Sequence, residues 1–125
     1  MLRCPRLLLA CLPILLLVLP SAPARAHAIV LEALPANNAV IHGDTFDVRL
    51  RFNNRIDRAR SRLLLLDAFA KERPVPIAAD AAAQPDVIEA HVSGLSPGQY
   101  RLRWQVLALD GHITHGDIAF TVVNP

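Results

Sequence analysis

Sulfur is nearly absent from this chain: of 125 residues, two are cysteine and one is methionine. Cys4, Cys11 and Met1 all lie in the first stretch, which has the three-part layout of an export signal. Arg3 and Arg6 form a short basic region, Leu7 to Leu19 is almost wholly apolar, and Ala24-Arg25-Ala26 offers the small residues that a signal peptidase accepts. A membrane-spanning helix needs ~20 apolar residues, and here Pro13 and Pro20 interrupt or end a shorter run. Residues 1–26 are therefore expected to be a cleaved signal peptide, leaving 99 of the 125 residues and a mature start at His27-Ala28-Ile29. That mature chain would hold neither thiol nor thioether. Disulfides, cysteine nucleophiles, thiolate metal sites and thioether sites for a soft ion are excluded from it.

An excess of charge is missing as well. The whole chain carries thirteen basic and eleven acidic residues, and Arg3, Arg6 and Arg25 leave with the signal. Ten basic against eleven acidic residues gives no case for nucleic acid or an anionic membrane as partner. One local cluster stands out, Arg49, Arg51, Arg55, Arg58, Arg60 and Arg62. A solvated sheet face is the plainer reading, and a docking patch for an acidic partner the other.

Helical periodicity of any length is also lacking; the dominant period is two. In Phe46-Asp47-Val48-Arg49-Leu50-Arg51-Phe52 every even position is apolar and every odd one charged, and Tyr100, Leu102, Trp104 and Val106 repeat the pattern. Such alternation marks strands buried on one face and wet on the other. Further strands are expected at Ala28–Leu34, Arg62–Ala68, Val75–Ala78, Val87–Val92 and Asp117–Val123, separated by turn-forming Pro, Gly, Asn and Asp. Ala78 to Ala83 reads as a connecting loop. Seven short strands in ~100 residues predict an all-β fold. The class is a seven-stranded antiparallel Greek-key β-sandwich or barrel, immunoglobulin-like or cupredoxin-like. In it Trp104 is a core residue. Tyr100 is structural, its hydroxyl bonding back to nearby backbone.

Five histidines carry the candidate chemistry: His27, His42, His91, His112 and His115. An N-terminal His27 would offer its α-amine and ring Nδ1 together, closing a six-membered chelate that suits tetragonal Cu(II). In Asp110-Gly111-His112 the carboxylate and imidazole are two apart and project to one side of an extended segment, so both can converge on one ion at the sandwich rim. His115, three residues on, leaves open whether a second imidazole approaches. His42 falls in a predicted turn and could share that rim or be plain surface. His91, at a strand end, reads as solvated.

These residues resemble the CopC family of periplasmic copper-resistance proteins, specifically its Cu(II)-only branch. The resemblance runs through His27 and Leu34-Pro35-Ala36, then Val48-Arg49-Leu50-Arg51-Phe52-Asn53. It continues in Leu95-Ser96-Pro97-Gly98-Gln99-Tyr100 with Trp104, then in Asp110-Gly111-His112, and ends with Gly116 before Phe120-Thr121-Val122. It implies residues 27–125 as one copper-binding β-sandwich domain holding one Cu(II). The ligands it implies are the amine and imidazole of His27, Asp110 and His112. It also implies a periplasmic location and a multi-spanning copper transporter of the inner membrane as partner; the mature chain is expected to be a monomer. Two departures stand out. Some relatives hold Cu(I) on a methionine-rich loop, and the mature chain has no methionine; many have an acidic residue where this chain has Asn53-Asn54. At the place of His115 the family usually has a small hydroxyl residue.

The expected role is a copper carrier or buffer in copper homeostasis or resistance, and not an enzyme. No Ser-His-Asp arrangement, paired catalytic carboxylates or phosphate-cradling glycine loop is evident. One alternative is a copper-dependent oxidative enzyme built on the same N-terminal chelate. The other is a metal-free immunoglobulin-like accessory module.

Overall fold

The alternating segments do form strands, and their apolar faces meet in a single core. In the computed structural model of the chain, residues 28–79 and 84–125 are described; the expected signal peptide, His27 and part of the alanine-rich loop lie outside them. The strands are β1 (Val30–Leu34), β2 (Ala39–His42), β3 (Phe46–Phe52) and β4 (Ile56–Leu66), then β5 (Glu72–Val75), β6 (Val87–Val92), β7 (Gly98–Ala108) and β8 (Ile113–Val123). They build a three-stranded sheet in the order β1-β3-β6 and a five-stranded sheet in the order β2-β8-β7-β4-β5. Among the described residues no helix is long and apolar enough to cross a membrane.

The even-numbered positions of β3 and β7 face inward, so Val48, Leu50, Phe52, Leu102, Trp104 and Val106 are all buried. Ile88, Ala90 and Val92 of β6 and Ile118, Phe120 and Val122 of β8 complete the contact between sheets. Fully burying a large aliphatic or aromatic side chain contributes roughly 1.5–3 kcal/mol, which lets packing alone hold a fold without cross-links. Phe52 and Trp104 meet edge-to-face across the core, ring centroids 5.4 Å apart. Tyr100 stacks on Phe120 at 5.6 Å, and its hydroxyl donates to the Ser96 carbonyl at 2.7 Å. On the outer face of the small sheet, Arg49 and Arg51 pair with Glu32, and Arg49 also reaches Glu89.

The described residues form eight strands, not the expected seven, and one pairing is parallel. The additional strand is β2, which lies parallel to β8 with Ala39 opposite Phe120 and His42 opposite Val123. It is a four-residue stretch between turns, fixed in place by Asn37 and Asn38. The Asn37 side chain accepts from the Ala119 amide, and the Asn38 amide donates to the Ala119 carbonyl. The strand expected at Val75–Ala78 divides in two. Residues Glu72–Val75 pair with β4, whereas Ile77 bridges to Ala90 of the other sheet, so this segment closes one side of the sandwich. Strand β4 starts at Ile56 rather than Arg62, because the register shifts between Asp57 and Arg62 and the alternation is lost there. The Ser61 hydroxyl fills that irregularity, donating to the Asp57 carbonyl and accepting from the Leu107 amide.

Candidate metal centre

The β7–β8 hairpin carries Asp110 and His112 at its tip. Gly111 sits at φ +89°, a left-handed conformation that glycine adopts without a Cβ penalty. The Gly111 amide donates to the Ala108 carbonyl at 3.0 Å and the Ala108 amide to the His112 carbonyl at 3.0 Å, closing a tight turn. The Asp110 carboxylate accepts from the His112 amide at 3.0 Å, the local bond by which Asp stabilises such turns. The same carboxylate oxygen lies 3.3 Å from the His112 Nδ1. The turn therefore draws a hard oxygen donor and a borderline nitrogen donor to one point, and both side chains are partly exposed.

The first described residues arrive at the same end of the sandwich. Ala28 is buried and its carbonyl accepts from the Thr114 hydroxyl at 3.2 Å, two residues beyond His112. The next residue, Ile29, exchanges two bonds with Asn53: its amide donates to the Asn53 side-chain oxygen at 2.7 Å, and its carbonyl accepts from the Asn53 amide at 3.0 Å. The β3–β4 turn docks here too, since the Leu109 amide donates to the Arg55 carbonyl. Ala28–Ile29, the β3–β4 turn and the β7–β8 turn thus form one rim.

The remaining histidines lie elsewhere. His115 pairs with Gln105 across the β7–β8 ladder and faces outward, with Arg103 and Asp117 lining the same shallow depression. Thr114, which meets Ala28, faces the opposite way, as adjacent strand residues do. His42 pairs with Val123 at the far end of β8, ten residues from Ile113 and so about 33 Å along the strand. His91 stands opposite Asp47, toward the far end of β3, its Nδ1 2.7 Å from the Asp47 carboxylate and its Nε2 3.4 Å from the Thr45 hydroxyl. His91 is thus held by neighbours as well as solvated. Among the described residues no group of three or more His, Cys, Asp or Glu could hold a metal ion, so Asp110 and His112 supply two donors of a set that needs more.

The residues that hold Ile29 and Ala28, Asn53 and Thr114, are not legible as such from sequence. Their bonds run to backbone atoms 24 and 86 residues away.

Comparison with known proteins identifies the family. The CopC domain family model matches residues 30–123. Copper resistance protein C of Xanthomonas campestris pv. juglandis is 31% identical over 110 residues, covering 83% of this chain and 86% of that protein. Protein YobA of Escherichia coli (strain K12) is 28% identical over 107 residues, 85% of each chain. Among solved structures, CopC from Methylosinus trichosporium OB3b has a TM-score of 0.72 at 28% identity, covering 78% of this chain and 95% of that one. PcoC, a methionine rich copper resistance protein from Escherichia coli, shares the fold with a TM-score of 0.60 at 21% identity, covering 78% of this chain and all of that one.

Proposed function

Because the chain belongs to the CopC family, we propose that it is a periplasmic copper(II)-binding protein that carries or buffers one ion in copper homeostasis. The proposed ligands are the α-amine and imidazole of a mature N-terminal His27 together with Asp110 and His112. The observation that carries this reading is the Thr114–Ala28 bond. It ties the segment bonded to His27 to the strand that begins immediately after His112. Ala28, the first described residue, is thereby held at the end of the sandwich that carries the turn. Two imidazoles, an amine and a carboxylate form a nitrogen-rich set of the kind Cu(II) prefers in tetragonal geometry.

The absence of sulfur from residues 27–125 further favours Cu(II) over Cu(I). A carrier needs a site and a rigid frame, with a ligand set open enough to release its ion. Delivery to an inner-membrane copper transporter is the exit we propose. The oxidative-enzyme alternative requires aromatic rings on a broad substrate surface. Here Trp104 is buried and Tyr100 stacks on Phe120 with its hydroxyl engaged, which supports the carrier reading.

Titration of the processed protein with Cu(II), followed by ascorbate and a peroxide assay, tests both halves. One tightly bound equivalent without sustained peroxide production is expected. Absence of tight binding contradicts the site; continuous peroxide turnover contradicts the carrier role.

A further inference from the structure

We infer that Asn53 and Thr114 are positioning residues for the metal centre, forming a two-point clip that presents the chain start to the β7–β8 turn. This rests on the metal-site reading above and assigns roles to two side chains outside the proposed ligand set.

The two grips come from different sheets. Asn53 follows β3 of the small sheet and holds Ile29 through both amide and carbonyl, at 2.7 Å and 3.0 Å. Thr114 lies on β8 of the large sheet and holds the Ala28 carbonyl at 3.2 Å. Between them the Ala28 methyl is buried as part of the hydrophobic core. Chain ends otherwise fray, and a frayed N-terminal ligand would pay an ordering cost each time it bound a metal. A segment held at two consecutive residues has met that cost before the ion arrives, which is the general benefit of preorganisation.

The inference is tested on processed protein beginning at His27, with Cu(II) alone as probe. Asn53→Ala removes the side-chain acceptor, whereas Asn53→Asp keeps an oxygen in its place. Thr114→Val removes the hydroxyl at nearly constant shape, whereas Thr114→Ser keeps it. Asn53→Ala and Thr114→Val should each weaken Cu(II) binding about three- to tenfold, the range expected when one hydrogen bond is lost. Asn53→Asp and Thr114→Ser should restore it. In metal-free protein the Ile29 amide should exchange with solvent about three- to tenfold faster in Asn53→Ala, while core amides keep their protection. If all four variants bind Cu(II) like the parent, the clip has no role in positioning and the inference fails. If the parent itself does not bind Cu(II), the metal-site reading falls and the inference with it, even where Ile29 exchange shows the clip to be real.

Discussion

A Cβ placed on Gly116 would lie 2.6 Å from Cζ2 of Trp104, its direct partner across the β7–β8 ladder. The indole fills the space beneath that glycine and reaches on to Phe52 in the opposite sheet. One aromatic ring therefore couples the strand that follows the β7–β8 turn to the strand that leads into Asn53.

Gly116→Ala should for this reason destabilise the fold. Cε2 and Nε1 of the indole also lie within 3.0 Å of the added carbon, and a packed ring cannot fold aside as a flexible chain end would. Overpacking of this kind costs about 1–3 kcal/mol. Denaturant midpoints should report the loss, and pairing the change with Trp104→Phe should recover part of it through coupling of neighbouring sites. An unchanged midpoint for the single variant would show that the indole has room to move.

Four of the five histidines should separate into two classes on mutation. His112→Ala, like Asp110→Ala, should weaken Cu(II) binding by more than the roughly 10–100-fold that outer partners of a metal site cost. His42→Ala, His91→Ala and His115→Ala should leave affinity within about twofold of the parent, because their positions lie far along the strands or on the outer face. Competitive titration against a chelator decides the matter. A loss in His115→Ala matching that of His112→Ala would bring His115 into the ligand set.

Acidification should release copper while the fold persists. Each nitrogen ligand must lose its proton before it coordinates. The reference values are about 7.7–8.0 for an α-amine and about 6.5 for imidazole. Below the imidazole value three competing protons give a fall approaching ~1000-fold in apparent affinity per pH unit. The fold responds lower down. Arg103 donates to the Asp117 carboxylate and, against the opposing effect of burial, holds its pKa below the ordinary range. A carboxyl with a lowered folded-state pKa stabilises the protein above its unfolded value of about 3.9, and that contribution is lost as pH falls through the folded-state value. Circular dichroism should therefore stay constant from pH 7.5 to 5 while copper leaves. Asp117→Asn should lower stability at neutral pH and flatten its decline in acid. A copper affinity that is flat across the upper window would mean that oxygen ligands dominate the site.

The parts of this molecule that were legible in sequence are those where one strand face is regular. Phe46–Phe52 is readable to its ends, because charged and apolar residues alternate without a break and the strand pairs in uniform register with β6. Strand β8 was visible only from Asp117, although it begins at Ile113. Its first inward positions are Thr114 and Gly116, since Trp104 fills the core from the neighbouring strand, and its outward position Ile113 is apolar and exposed. That inversion hides the period. Strand β2 escapes notice because four residues between turns carry little pattern, and its partners on β8 are 81 residues away in sequence. At the rim, the Asp110 and His112 pair could be read from local spacing. The grips of Asn53 and Thr114 on the chain start depend on two sheets coming together, and no local spacing encodes that.

The central claim is that copper is anchored by the free N-terminus of the processed chain. Two forms of the protein should be compared: residues 27–125 beginning at His27, and the same chain with one methionine placed before it. The extension converts the α-amine into an amide and breaks the imidazole–amine chelate while leaving Asp110, His112 and the sandwich unchanged. The expected result is a fall in Cu(II) affinity by orders of magnitude in the extended form, with a changed electron-resonance spectrum and unaltered circular dichroism. Equal affinity and identical spectra in the two forms would contradict it.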